Sequence, residues 1–397
     1  MDWTVMRGRF HLPEGVIYLD GNSLGPMPVD APERVKRTMD DWASLLIRGW
    51  NEGADGEGWM GWPARLGDRI GRLIGAPEGS VVAGDTLSIK VFQALDAALK
   101  MRPDRRVILS DSGNFPTDLY MAEGLIGLLP GHELRVVEPE AVAGAIGDDV
   151  AVLMLTQVDY RTGRMHDMAA LTAKAHAAGA LTVWDLAHSA GAHEVDVTAA
   201  KADFAVGCTY KYLNAGPGAP AFIHVRPDLQ DGIDPALSGW LGHAAPFAFD
   251  PSYRPGAGIE RMRVGTPPVL QLAALEAALD IWEEVDMAAL RARSLDLSER
   301  FAAGVALCCP DLAPALAPGV PRGSQVSFRH AEGYAVMQAL IARGVIGDFR
   351  APDILRFGFT PLFLGEAEVD AAVGHLAQIL ETREWDAERF RARKAVT

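Results

Sequence analysis

Cysteine is scarce: Cys208, Cys308 and Cys309 are the only three in 397 residues. Adjacent cysteines rarely pair, and no C-x-x-C or Cys/His ligand spacing occurs, so neither a disulfide framework nor structural zinc is expected. Cys308 and Cys309 end an apolar stretch before Pro310 and are expected to be buried, inert thiols. Positive charge is also in deficit, with 37 Lys plus Arg against 52 Asp plus Glu and a formal net charge of −15. Such a surface repels phosphate backbones and anionic headgroups, which argues against nucleic acid and membrane partners. Long apolar runs are missing, since none approaches roughly 18 residues. The N-terminal residues MDWTVMRGRF hold no basic stretch leading into an apolar one, so a cytoplasmic protein is expected. Internal repeats and low-complexity segments are absent as well.

The apolar half of the chain (49%) suffices for one large core or two unequal ones. Short β-rich runs occur at Val107 to Ser110, Leu134 to Val137, Val150 to Val158, Leu181 to Asp185, Phe204 to Cys208 and Ala221 to Val225, each bounded by turn-forming or charged residues. Between them lie helical stretches such as Asp167 to Ala178, with Asp167 placed to cap and Gly179 to stop. Alternation of this kind predicts an α/β fold with a mainly parallel sheet between helices, whose ligands bind beyond the carboxyl ends of the strands. After Thr266-Pro267-Pro268 the pattern turns to long helices, Val269 to Val285 and Met287 to Leu307, and then to a smaller α/β region with strands at Gln325 to Arg329 and Leu355 to Phe359. The expected division is an N-terminal arm at 1–45 packing with the small domain, a large domain at 46–270 and a small C-terminal domain at 271–397.

Chemistry concentrates in WDLAHSAG (Trp184 to Gly191) and GCTYKYLNAGPG (Gly207 to Gly218). Asp185 ends one apolar run, and a carboxylate there is costly to bury unless a cation accepts it. Lys211 follows a second apolar run 26 positions later. Alone, Asp185 reads as a helix cap and Lys211 as a surface lysine. Presented together on one sheet edge, they suit a protonated pyridine nitrogen and an amine that forms a Schiff base, the pair that pyridoxal 5'-phosphate needs. Leu87 and Ser88 open a helix whose free N–H groups suit a phosphate. Phe115 offers an aromatic face for stacking beside Asp118. His188 and His193 lack the spacing of a metal site and leave Lys211 without a role in one, so no metal is expected. His188 is placed to hydrogen bond a ring oxygen instead, with His193 an ordinary loop residue.

These segments, in order, resemble the kynureninase family, which belongs to the class V aminotransferase-like group of fold type I pyridoxal-phosphate enzymes. YLDGNSLGPMP (Tyr18 to Pro28), NFPTDLY (Asn114 to Tyr120), YRTGRMHDM (Tyr160 to Met168), LSGWLGH (Leu237 to His243) and GTPPVLQLAALEAAL (Gly265 to Leu279) join the two central motifs, and the likeness runs from about Tyr18 to Leu362. The resemblance implies a seven-stranded large-domain sheet and hydrolysis of L-kynurenine to anthranilate and L-alanine, a step of tryptophan catabolism linked to NAD biosynthesis. It gives Lys211 the Schiff base and the Cα proton, Asp185 the pyridine nitrogen, His188 the ring edge, and Phe115 the stacking face with Asp118 near it. Leu87, Ser88 and Tyr210 would hold the phosphate region, and Tyr210 would also transfer a proton. Trp240 and Thr266 would come from the partner of a homodimer. Arg356 would clamp the substrate α-carboxylate with a two-pronged ion pair, and Ser23, Trp50 and Gly265 would lie near the substrate. Family members favouring 3-hydroxykynurenine tend to carry His, Ser and Asn where this chain has Trp50, Gly265 and Thr266, so it is similar to the kynurenine-preferring bacterial type. The glycine-rich segment Asn51 to Gly61 departs from the family pattern. The rival reading is a cysteine desulfurase or selenocysteine lyase, which commonly carries Gln at the place of His188. A metal-dependent hydrolase and a non-catalytic protein of the same fold are weaker rivals.

Overall fold

The central sheet has seven strands, β1 (Val81–Ala83), β2 (Val107–Asp111), β3 (Glu133–Val137), β4 (Val150–Thr156), β5 (Leu181–Asp185), β6 (Phe204–Gly207) and β7 (Phe222–Val225), in the spatial order β1-β7-β6-β5-β4-β2-β3. The computed structural model describes residues 1–53, 56 and 58–392. Only β7 runs against its neighbours, so β1 points the same way as β6 and the remaining strands. That polarity brings the segments following β1, β2, β4, β5 and β6 to a single edge. Every residue of β4 to β7 is buried, as expected of strands covered on both faces. The expected strands recur within two residues; β4 ends at Thr156, and Val158 instead makes an isolated bridge to Met165. β1 was not read from the sequence, because three residues beside a glycine carry no periodic signal.

Helix α1 (Ala31–Leu45) precedes the sheet, and α2 (Trp62–Leu73) packs on one sheet face together with α6 (Val269–Trp282), through Leu66, Ile70, Leu272, Leu275 and Leu279. Helix α3 (Leu87–Lys100) covers the other face through Val91, Ala94, Leu95 and Ala98. Helices α4 (Pro116–Ile126) and α5 (Met168–Ala177) complete the crossovers, and Asp167 caps α5 through Ala170 N–H as expected. The C-terminal part carries α7 (Met287–Cys308), α8 (Gly333–Ala342) and α9 (Glu366–Thr382) around an antiparallel sheet of β8 (Ala313–Pro314), β9 (Gln325–Arg329), β10 (Asp348–Arg350) and β11 (Ile354–Gly358), ordered β10-β11-β9-β8. α6 stops at Trp282, three residues short of the expected end, and Asp286 starts α7 by accepting from Ala288 and Ala289 N–H. Cys309 is buried, but Cys308 is exposed, which corrects the expectation that both thiols are covered. Cys308 follows the spacing of the buried Phe301 and Val305 but is the last residue of α7 and is left uncovered at its end. The N-terminal arm joins this part through Ile17–Tyr18, which pairs in parallel with Val345–Ile346, and through Gly358 N–H donating to the Leu19 carbonyl at 2.7 Å.

Among the described residues no helix is long and apolar enough to cross a membrane. Packing of α2 on β1 is close enough that a Cβ at Gly67 would lie 2.2 Å from the Val81 carbonyl oxygen. Gly67→Ala is therefore expected to lower stability by roughly 1–3 kcal/mol through forced separation of helix and strand, read from the midpoint of urea denaturation.

Candidate active site

Lys211 lies four residues past β6 with its side chain nearly covered, and its Nζ is 3.4 Å from His188 Nε2. The same amine sits 5.7 Å from the Phe115 ring centroid and 5.8 Å from that of Tyr210. Asp185 ends the neighbouring strand β5 and accepts from Ala187 N–H at 2.8 Å. Asp118 enters from the first turn of α4, which Pro116 starts directly after Phe115. Asn114 fixes that approach: its side chain accepts from Phe115 N–H and donates to Ser110. The strand-end placement of Asp185 and Lys211, legible in the sequence, thus puts both on one edge with Phe115, Asp118 and His188.

Electrostatically the cluster lacks positive charge. Burial pushes the Asp185 carboxyl up to about 6 from an ordinary 3.8, against the opposing pull of Lys211 and of the Ala187 N–H. Asp118 is raised well above its ordinary value by burial and by Asp185, with Lys211 again opposing. Its Oδ2 is buried and unpartnered. His188 is pushed well below 6.5 by burial, by Lys211 and by Arg356 and Arg350, so it is a neutral imidazole. Tyr210 is pushed above the usual phenol range by burial and by Cys208, so its hydroxyl keeps its proton.

Leu87 and Ser88 begin α3 on the same edge, after β1. Thr86 occupies the cap position without a side-chain cap, so among the described residues its hydroxyl leaves the first N–H groups of the helix unsatisfied. Phe115 stacks edge-on with Tyr160 at 5.1 Å, and the Tyr160 carbonyl accepts from Arg356 Nη1 at 2.5 Å. This chain of contacts joins β11 of the C-terminal part to the Lys211 cluster. Arg356 does make a two-pronged ion pair, with Asp348, its cross-strand neighbour in β10. Its Nη2 also donates to Ser23 Oγ at 2.7 Å. Ser23 is carried there by the arm, whose Gly25 N–H donates to the Tyr210 carbonyl. A Cβ on Gly25 would fall 2.4 Å from the Lys211 carbonyl oxygen, so only glycine permits that approach.

Trp50, Trp240 and Thr266 are brought together elsewhere, around a surface cavity of about 180 Å³ that Phe247 also lines. Gly265 and Thr266 are exposed, and Trp240 retains 44% of its surface. Trp50 packs edge-on against Trp59 at 5.5 Å. Residues 54, 55 and 57 of the glycine-rich segment lie outside the described residues. His193 is buried with its Nδ1 against the Glu194 carbonyl, a structural position. Asp20, Asp348 and Arg350 were not anticipated. The alternation of charges in Asp348-Phe349-Arg350 was the available signal, since positions i and i+2 of a strand share one face.

The C-terminal residues 290–376 match the model described as the kynureninase C-terminal domain. A kynureninase of Pseudomonas fluorescens is 51% identical over 99% of this chain and 96% of its own length, and one of Burkholderia pseudomallei (strain 1106a) is 50% identical over the same shares. The chain belongs to the kynureninase family. Kynureninases are pyridoxal-phosphate enzymes of fold type I, and the solved structures agree on the fold. A C-DES structure with glycine covalently linked to its PLP cofactor superposes with a TM-score of 0.81 at 19% identity, covering 94% of this chain and 98% of that one. The cysteine desulfurase CsdA from Escherichia coli gives 0.79 at 19% identity, covering 96% and 99%. At such identity these two structures share the fold alone, whereas the kynureninase likeness spans 99% of the chain.

The raised Asp185 carboxyl has a signed consequence for the cofactor-free kynureninase chain. Between an unfolded value near 3.8 and a folded value near 6, the unfolded state sheds its proton first, so stability falls as pH rises through that window. Cofactor-free Asp185→Asn is expected to be more stable than cofactor-free wild type at pH 7.5, by on the order of 1–3 kcal/mol. The two should converge at pH 4, as measured by denaturant titration at both pH values.

Proposed function

We propose that the protein hydrolyses L-kynurenine to anthranilate and L-alanine, with pyridoxal 5'-phosphate held on Lys211. The observation that carries this is the set Lys211, Asp185, Asp118, His188 and Phe115 on one sheet edge in a chain of the kynureninase family. The residues fit the cofactor: two buried carboxyls, one with an orphaned oxygen, face a single lysine, and a protonated pyridine nitrogen supplies the missing cation. Asp185 would pair with that nitrogen, Phe115 would stack on the ring, neutral His188 would meet its polar edge and Asp118 would lie nearby. Leu87, Ser88 and Tyr210 would hold the phosphate.

Once bound, the cofactor supplies an electron-withdrawing ring that stabilises negative charge on the substrate carbons next to the amine. Arg356, with Ser23 beside it, holds the α-carboxylate, which fixes Cα over the Lys211 edge. Lys211 Nζ removes and returns the Cα proton. Water adds to the aryl ketone, and collapse of the hydrate breaks the Cβ–Cγ bond, leaving the carboxyl on the aryl product and the electron pair on Cβ. Tyr210 Oη, held protonated, delivers a proton to Cβ.

A homodimer completes the reading. Trp240 and Thr266 would reach the partner's cofactor, and the exposed Phe247 and Phe249 beside Trp240 support a covered interface there. Trp50 and Gly265 offer no side-chain acceptor to a ring hydroxyl, which supports kynurenine over its 3-hydroxy derivative. The division into an arm at 1–45, a large domain at 46–270 and a small domain at 271–397 belongs to this proposal, as does a cytoplasmic location. The test is incubation of the protein and pyridoxal phosphate with L-kynurenine, following anthranilate fluorescence. Anthranilate should form in step with alanine, and Lys211→Ala should reduce the rate by at least about a thousandfold. Turnover of L-cysteine with none of L-kynurenine would overturn the assignment.

A further inference from the structure

Behind Arg356 lies a group of charges that the proposed reaction does not use. The Asp348 carboxylate is heavily engaged: it accepts from Arg356 Nε at 2.7 Å, from Arg356 Nη2 and from Ser23 Oγ at 2.5 Å, and it lies 2.7 Å from Arg350 Nη2 in an ion pair. Asp20 stands beside the same two guanidiniums, yet among the described residues it receives a hydrogen bond from neither, and its Oδ1 is buried without any partner. Its side chain meets Asp348 and Ser23 instead. Arg350 Nε is likewise buried without an acceptor. A buried carboxylate that stays ionised would be expected to take such a donor.

We propose that Asp20 is a positioning residue for the substrate: carried as a neutral acid hydrogen bonded to Asp348, it leaves the Arg350–Arg356 pair with one uncompensated positive charge, which the α-carboxylate fills. The inference rests on the reading of Arg356 as the carboxylate-binding group. With Asp20 neutral, two guanidiniums face one carboxylate, and an arriving substrate carboxylate brings the group to balance. Ionised, Asp20 would already balance it, and a further anion would be repelled.

The groups facing Asp20 come from each neighbouring segment: Tyr18 and Ser23 on its own, Asp348 and Arg350 on β10, Arg356 on β11, and Tyr212 after Lys211. Burial holds the phenols of Tyr18 and Tyr212 above their ordinary range, so both stay neutral. Asp348 is held below the ordinary carboxylate range by Arg356 despite its burial. Asp20 alone of these groups is pushed to about 8, by burial and then by Asp348, with Arg356 opposing. The pocket therefore loses its spare positive charge as pH rises through about 8.

The experiment is the pH dependence of KM for L-kynurenine in the holoenzyme between pH 7 and 9.5. In wild type KM should climb toward about tenfold per pH unit above the Asp20 transition. Asp20→Asn, which is neutral at every pH, should abolish the climb. Calorimetry of L-alanine binding to wild-type holoenzyme at pH 8, in buffers of different ionisation enthalpy, should record proton uptake that the Asn variant lacks. If Asp20→Asn misfolds, the wild-type calorimetry decides: no proton uptake rejects the proposal. Arg356→Gln separates the two readings. A large rise in its KM at pH 7, together with an unchanged alkaline climb in Asp20→Asn, would sink the role of Asp20 alone. An unchanged KM in Arg356→Gln would sink the carboxylate reading beneath it.

Discussion

Two buried carboxyls sharing one lysine are the constraint from which the rest of the site follows. Asp118 and Asp185 are driven up in pKa by burial, and Lys211 offsets only part of that cost. Such an arrangement is poor design for stability alone, since replacing buried charge with well-packed apolar groups is often neutral or favourable. It becomes economical when a cationic ring arrives to pair with one of the acids. The neutral state of His188 belongs to the same logic, because burial and the neighbouring Lys211, Arg356 and Arg350 all disfavour a further positive charge there.

Sheet polarity makes that crowding possible. β1, β2, β4, β5 and β6 run one way, so segments far apart in sequence release Leu87, Phe115, Tyr160, Asp185 and Lys211 at one rim. The C-terminal sheet then adds Arg356, and the N-terminal arm adds Asp20 and Ser23. The arm is fixed at both ends of its span, by Leu19 on Gly358 and by Gly25 on Tyr210. The contact at Gly25 ties the backbone next to Lys211 to the arm that carries Ser23. Movement of the arm would therefore disturb amine and carboxylate subsite together.

Much of this was legible in the sequence where a local rule and a long-range role coincide. Asp185 and Lys211 each end an apolar run, and strand ends in a parallel sheet are where ligands bind. Asp167 capping α5 was equally readable, because capping needs only its own helix. β1 was not, being three residues long, nor were the ends of α6 and the exposure of Cys308, which tertiary packing decides. The ion cluster escaped for a different reason. Asp20 is separated from Asp348 and Arg356 by most of the chain, and the three meet only through the register that sets Asp348 opposite Arg356 and the arm that crosses to β11. Arg356 could be assigned a carboxylate by resemblance, but not the internal partner that already occupies its two-pronged face.

The central claim is that the cofactor sits on Lys211, between Asp185 and the Phe115 ring. Reducing the pyridoxal-phosphate-loaded protein with borohydride, digesting it and locating the pyridoxyl label by mass spectrometry tests this directly. The account predicts the label on the peptide containing Lys211 and nowhere else at stoichiometric level. A label on another lysine, such as the buried Lys90, with Lys211 unmodified, would contradict it.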